Sequence, residues 1–132
     1  MSTKLTVKTG KENYRTVVIS DSHRFVADEP IQAGGKDLGP NPGELLAASL
    51  ATCTAITMKM YADRKGWSLN EIVVEVDFEW NRKENFTVFT KSIQIDGNLD
   101  AEQRDKLMEI GGKCPIHRTL NGSIEVKQNL ME

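Results

Sequence analysis

The stretch from residue 41 to residue 66, NPGELLAASLATCTAITMKMYADRKG, constrains this chain more than any other part of it. Asn41 is a favoured N-cap residue, and Pro42 falls at the first helical position, where its missing N–H costs nothing. Glu44 follows Asn41 at capping-box spacing. Lys59, Arg64 and Lys65 gather toward the far end, where they complement the helix dipole, and Gly66 can close the helix in a left-handed cap. These signals predict a single helix of about 24 residues, roughly 36 Å long. From Leu45 to Met58 it carries no charge. A helix that is apolar or small all the way round has to be covered on every side. Cys53 sits in the middle of it.

A chain of 132 residues predicts one domain, residues 1–132, large enough for a core of its own. The formal net charge of -2 gives no electrostatic case for nucleic acid or an anionic membrane. Ser49, Thr52, Thr54 and Thr57 interrupt the apolar helix, which reads as too short and too polar for a membrane span. The opening residues, MSTKLTVKTGKENYR, lack the apolar centre of a signal peptide. A cytoplasmic protein is the expectation. In that compartment two cysteines are more often inert core thiols, catalytic groups or ligands than a structural disulfide.

The remaining pattern predicts βββ-α-ββ-α-β. Leu5 and Val7, then residues 14–19 and 23–27, read as three short strands in an antiparallel meander, with turns at residues 10–13 and 20–22. The segment DEPIQAGGKDLGP at 28–40 is a Gly- and Pro-rich loop leading into the long helix. After Gly66 the period changes to two. Ile72, Val74, Val76, Phe78 and Trp80 face one way, and Glu71, Glu75, Asp77 and Glu79 the other. The returning strand, residues 86–95, slips in phase between Val88 and Phe89, which predicts a bulge near 89–92. Asp100 and Gln103 open a second helix with Leu107, Met108 and Ile110 as its apolar face, and Gly111-Gly112 end it. Cys114-Pro115 can start a further helical turn, and residues 123–127 read as a last strand. The class is α+β, with antiparallel sheet around a long buried helix. One such sheet covers one side of the helix, so a homodimer is expected to cover the rest.

The chemistry lies in few residues. An unperturbed thiol has a pKa near 8.5, so Cys53, three turns inside a helix, needs a nearby cation to react as a thiolate. Cys114 precedes Pro115 at a potential helix start, beside Lys113. Buried thiols also serve as plain core residues. Cys114-x-x-His117 has the spacing of metal ligands, but no second ligand pair accompanies it, so no metal or other cofactor is expected.

The combination of GPNPGELLAASLATCT, MYADRKGW, HRFVADEP and CPIHRTL resembles the OsmC/Ohr family, the osmotically inducible and organic hydroperoxide resistance proteins. It is similar to the general OsmC-like branch. The resemblance covers residues 15–127 and implies an interlaced α+β homodimer. It also implies a thiol-dependent peroxidase, an antioxidant enzyme of the oxidative stress response. In the family the helix cysteine attacks an organic hydroperoxide and becomes a sulfenic acid, which a second cysteine resolves to a disulfide. An external dithiol reductant, a lipoyl protein or one like thioredoxin, then restores both thiols. Cys53 matches the attacking position and Cys114 the resolving one.

The family also holds its thiolate with an arginine steadied by a glutamate. Arg24 is the choice for the arginine, with Lys11 and Arg15 as rivals. The hydroperoxidase branches place the acid directly after Asn-Pro, where this chain has Gly43; Glu44 comes one residue later. Nine residues before Cys53, Glu44 would point to the opposite side of the helix, which favours a capping role over a catalytic one. Peroxidase chemistry therefore competes with a non-catalytic reading, a small-ligand-binding or stress-response dimer of the same fold.

Overall fold

The computed structural model describes residues 2–131. The chain gathers into two compact units, Met1–Leu46 and Ala47–Glu132, taken here in turn.

The first unit is built on the predicted meander: β1 (Thr6–Thr9), β2 (Thr16–Ile19) and β3 (Arg24–Ala27), antiparallel and in that order. Val18 of β2 and Ala27 of β3 are buried. A single 3-10 turn, Ile31–Ala33, interrupts the loop that follows. Asp28 organises that loop. Its buried carboxylate accepts the N–H groups of Tyr14 (3.1 Å), Glu29 (2.8 Å), Lys36 (3.2 Å) and Leu38 (3.2 Å). Burial pushes this carboxyl up, and the four N–H donors outweigh it, holding it below the ordinary carboxylate value. A carboxyl lowered by folding stabilises the loop above the unfolded pKa near 3.9, and that contribution is lost as pH falls through the folded value. Asp28→Ala should therefore raise hydrogen exchange at the Lys36 and Leu38 amides by about tenfold or more at neutral pH. Exchange unchanged at those amides would mean the loop is held by other contacts.

Helix α1 (Pro42–Lys65) starts in the first unit and continues in the second. The predicted capping box forms: Asn41 Oδ1 accepts from Glu44 N at 2.8 Å, and Glu44 Oε1 accepts from Asn41 N at 3.0 Å. Gly66, at φ +70°, closes the helix in the left-handed conformation. By length and composition the helix is apolar enough to cross a membrane, with an 18-residue window of mean hydropathy 1.3. The expectation that it is too short and too polar is corrected on that point. Hydroxyls are tolerated in such a helix because they bond back to its own carbonyls, as Thr52 does to Ala48 O at 2.7 Å.

In the second unit, α1 buries the i, i+4 stripe Leu50, Thr54, Met58 and Ala62. Strands β4 (Ser68–Asn81) and β5 (Phe86–Asn98) form one long antiparallel hairpin. β4 alternates as predicted, with Ile72, Val74, Val76 and Phe78 on the sheltered face and the acids outside. Trp80 shares that phase but lies beyond the core, exposed, with its Nε1–H donating to Asn85 Oδ1. The predicted bulge in β5 is absent. β5 pairs without interruption from Phe86 to Asp96, and the register shift falls instead between Leu69 and Glu71. Phe86 and Val88 simply face outward, 62% and 52% exposed. Phe78 and Phe89 stack across the pair at 4.7 Å.

Helix α2 (Ala101–Gly111) carries the predicted Asp100–Gln103 capping box. Its Arg104 guanidinium donates to the carbonyls of Ile95, Gly97 and Leu99, tying the helix to the end of β5. Met58, Ala62 and Leu107 form the fully buried core, flanked by Tyr61, Trp67, Ile72 and Ile93. At Gly111 an added Cβ would stand 3.0 Å from Met58 Sδ, so a larger residue here would have to push the Met58 side chain aside. A short helix, α3 (Pro115–Leu120), follows. Residues 123–131 form no strand, contrary to the predicted last one. Their side chains stand open, Val126 at 88% exposure, because a strand exists only where a neighbour completes its ladder.

Candidate active site

Three pieces of the second unit bring chemistry together. Helix α1 carries Cys53 and Thr54, β5 carries Lys91, and the corner between α2 and α3 carries Gly111, Cys114, Ile116 and His117. Both cysteines are free thiols; Cys53 is half-buried, and Cys114 has no exposed surface.

The start of α3 receives both sulfurs. The first N–H groups of a helix lack partners inside it. Pro115, at the first helical position, has no N–H to satisfy. The next two are used in alternation. Ile116 N–H points to Cys53 Sγ at 3.5 Å, and His117 N–H to Cys114 Sγ at 3.3 Å. Cys114 is thus the N-cap of α3, and two cysteines far apart in sequence share one turn of backbone.

Lys91 is the residue that sequence reasoning missed. Its Nζ donates to Thr54 Oγ1 at 3.1 Å and to the Gly111 carbonyl at 2.9 Å. Thr54 Oγ1 lies 3.4 Å from Cys114 Sγ. The signal was present in the strand pattern. Lys91 shares the sheltered phase of Phe89, Ile93 and Ile95, where a lysine is out of place unless it has a partner.

The charges follow from this packing. Burial pushes the Cys114 thiol up, but the Thr54 hydroxyl, the His117 N–H, the Cys53 thiol and the Lys91 ammonium together hold it below the ordinary thiol value. Burial lowers Lys91, against the opposing pull of Cys114 and Cys53. Burial, then the Lys91 charge, lowers His117, whose buried Nδ1 has no hydrogen-bond partner among the described residues. Among the described residues no three His, Cys, Asp or Glu side chains stand together as metal ligands would.

Arg24 and Glu44 belong to the first unit. Arg24 is exposed at the start of β3, paired with Ile19, and Lys11 and Arg15 are exposed as well. The Glu44 carboxylate is engaged in the Asn41 capping box. The hydrogen bonds of the two sulfurs come from the second unit. The first unit holds an apolar hollow of about 600 Å³, lined by Leu5, Val7, Tyr14, Val18, Phe25 and Leu45 among others.

The fold is one already seen in solved structures. An OsmC-like protein from Mycoplasma pneumoniae superposes with a TM-score of 0.78, at 21% identity over 92% of this chain and 89% of that one. The organic hydroperoxide resistance protein OhrB of Bacillus subtilis gives a TM-score of 0.63, at 22% identity over 96% of each chain. The organic hydroperoxide resistance protein OsmC from Legionella pneumophila gives 0.63, at 21% identity over 96% of this chain and 94% of that one. At these identities the likeness is one of fold. Among curated proteins no sequence matches the chain. The family model described as OsmC-like protein matches residues 34–129, a span that contains α1, the hairpin and both cysteines. The resemblance read from the motifs is borne out, and the chain belongs to the OsmC-like protein family.

Proposed function

We propose that this protein is a thiol peroxidase acting on organic hydroperoxides, with Cys53 as the attacking thiol and Cys114 as the resolving one. The observation that carries the reading is the meeting of the two sulfurs on successive N–H groups of α3. Their unequal exposure supports the division of labour: a peroxide from solvent reaches half-buried Cys53 before Cys114, which has no exposed surface. The Cys53 thiolate attacks the terminal peroxide oxygen, the O–O bond breaks, and the alcohol leaves after its alkoxide takes a proton. Cys53 is then a sulfenic acid. Cys114 attacks its sulfur, the S–O bond breaks, water is released and the disulfide forms. A dithiol reductant, a lipoyl protein or one like thioredoxin, restores both thiols by exchange.

Solved relatives of the same fold are described as organic hydroperoxide resistance proteins, which supports the substrate class. Arg24 is proposed as the family's arginine, with Lys11 and Arg15 as rivals; Glu44 serves as a helix cap before any catalytic role. A homodimer completes the reading. Ile56 and Met60 on α1 and Ile124 and Val126 in the C-terminal segment are exposed apolar residues that a second copy would cover. Sedimentation at micromolar concentration tests it, and a stable monomer would refute it.

One equivalent of an organic hydroperoxide should remove two thiols per chain and join Cys53 to Cys114 in a single linked peptide on mass spectrometry. Two thiols left intact would exclude peroxidase chemistry. The apolar hollow of the first unit favours the second reading in that event, a small-ligand-binding protein. Native mass spectrometry of the protein with an apolar ligand would then be the measurement to make.

A further inference from the structure

We propose that Lys91, acting through Thr54, holds the Cys114 sulfur as a thiolate, so that the resolving thiol is ionised before Cys53 is oxidised. The direction of the hydrogen bonds gives the argument. An ammonium has only donors, so the Thr54 hydroxyl accepts from Lys91. Its own proton is then free for another acceptor, and Cys114 Sγ stands 3.4 Å away. A sulfur that accepts from Thr54 Oγ1 and from the His117 N–H is favoured as the anion. The Gly111 carbonyl fixes Lys91 from the other side, at 2.9 Å. Thr54, which has no exposed surface, is held in a helix whose neighbouring residue is Cys53. The relay hydroxyl and the attacking thiol therefore sit on adjacent residues of one helix.

Lys91 and Thr54 are positioning residues here, acting through Cys114 on the reaction. The titratable side chains that act on Cys114 are Cys53 from α1 and Lys91 from β5, while His117 of α3 contributes its backbone N–H. His117 is lowered by burial and by Lys91, which favours its neutral imidazole. In the reaction proposed above, the Cys114 thiolate supplies the electron pair for the S–S bond. Hydroxide leaves Cys53 with the S–O pair and becomes water on taking a proton. No deprotonation precedes that step, so the sulfenic acid is short-lived and protected from further oxidation.

The titration that tests this needs no peroxide, so it stands or falls apart from the peroxidase reading on which the consequence rests. In Cys53→Ser protein the single thiolate, followed by absorbance at 240 nm, should form with a midpoint below the free-thiol value of about 8.5. Adding Lys91→Met should raise the midpoint by about one unit or more, and Thr54→Val should raise it comparably; Thr54→Ser should restore it. If the methionine variant does not fold, Lys91→Gln keeps a donor without the charge and should give the same rise. A midpoint that moves in neither the Lys91 nor the Thr54 variant, or in only one of them, overturns the relay. In protein with both cysteines, Lys91→Met should lengthen the lifetime of a dimedone-trappable sulfenic acid about tenfold. An unchanged lifetime would overturn the protective role.

Discussion

Cys53→Ser should abolish peroxide consumption altogether, whereas Cys114→Ser should complete a single turnover and stop. The difference follows from where the two thiols sit. Cys53 is half-buried on α1 and is the sulfur that solvent can reach, while Cys114 is enclosed behind it as the N-cap of α3. Removing the reachable thiol leaves no nucleophile for the first step, and a serine hydroxyl at that position does not reduce a peroxide. Removing the enclosed thiol leaves the first step intact but strands its product. Cys53 should then be trapped by dimedone as a sulfenic acid and climb to the sulfinic acid with excess hydroperoxide. Intact mass shifts of one and then two oxygens measure it directly. The reverse pattern, with Cys53→Ser still consuming one equivalent, would exchange the two roles.

The parts of this fold that were legible in the sequence are those fixed by neighbours along the chain. Asn41 and Glu44, and Asp100 and Gln103, cap their helices as read, because a capping box needs only four consecutive residues. The alternation of Ile72, Val74, Val76 and Phe78 placed β4 correctly for the same reason. The bulge expected in β5 is absent because the strand keeps one phase throughout: Phe86 and Val88, next to the turn of the hairpin, face outward. Reading a phase slip there also hides Lys91. Once β5 is regular, Lys91 falls between Phe89 and Ile93 on the sheltered face, where its partners come from α1 and α2. The final strand failed for a different reason. Alternation at Ile124 and Val126 shows a segment fit to be a strand, but pairing depends on a neighbour that lies elsewhere in sequence. The meeting of Cys53 with Cys114 is likewise non-local. Spacing did not show it, and the family resemblance alone suggested that the two act together.

Leu107→Ala should be the most destabilising single truncation in the second unit, and its neighbour Met108→Ala nearly silent. The sequence assigned both residues to one apolar face of α2, but adjacent helical residues point about 100° apart. Leu107 has no exposed surface and packs with Met58 and Ala62, while Met108 is 48% exposed. Cutting a fully buried leucine to alanine costs about 2–5 kcal/mol, through lost transfer energy and the cavity left behind. Against a total stability of roughly 5–15 kcal/mol that is a large share. For a chain of this size it should lower the melting temperature by on the order of 10 °C. Met108→Ala removes side chain that water already reaches and should change stability by less than about 0.5 kcal/mol. The same cluster braces the candidate site, since Met58 lies on α1 one turn beyond Thr54 and closes against Gly111, whose carbonyl anchors Lys91. Thermal unfolding of the two variants side by side makes the comparison. Equal losses would mean that α2 is rotated on the hairpin, and with it the carbonyl that holds Lys91 in place.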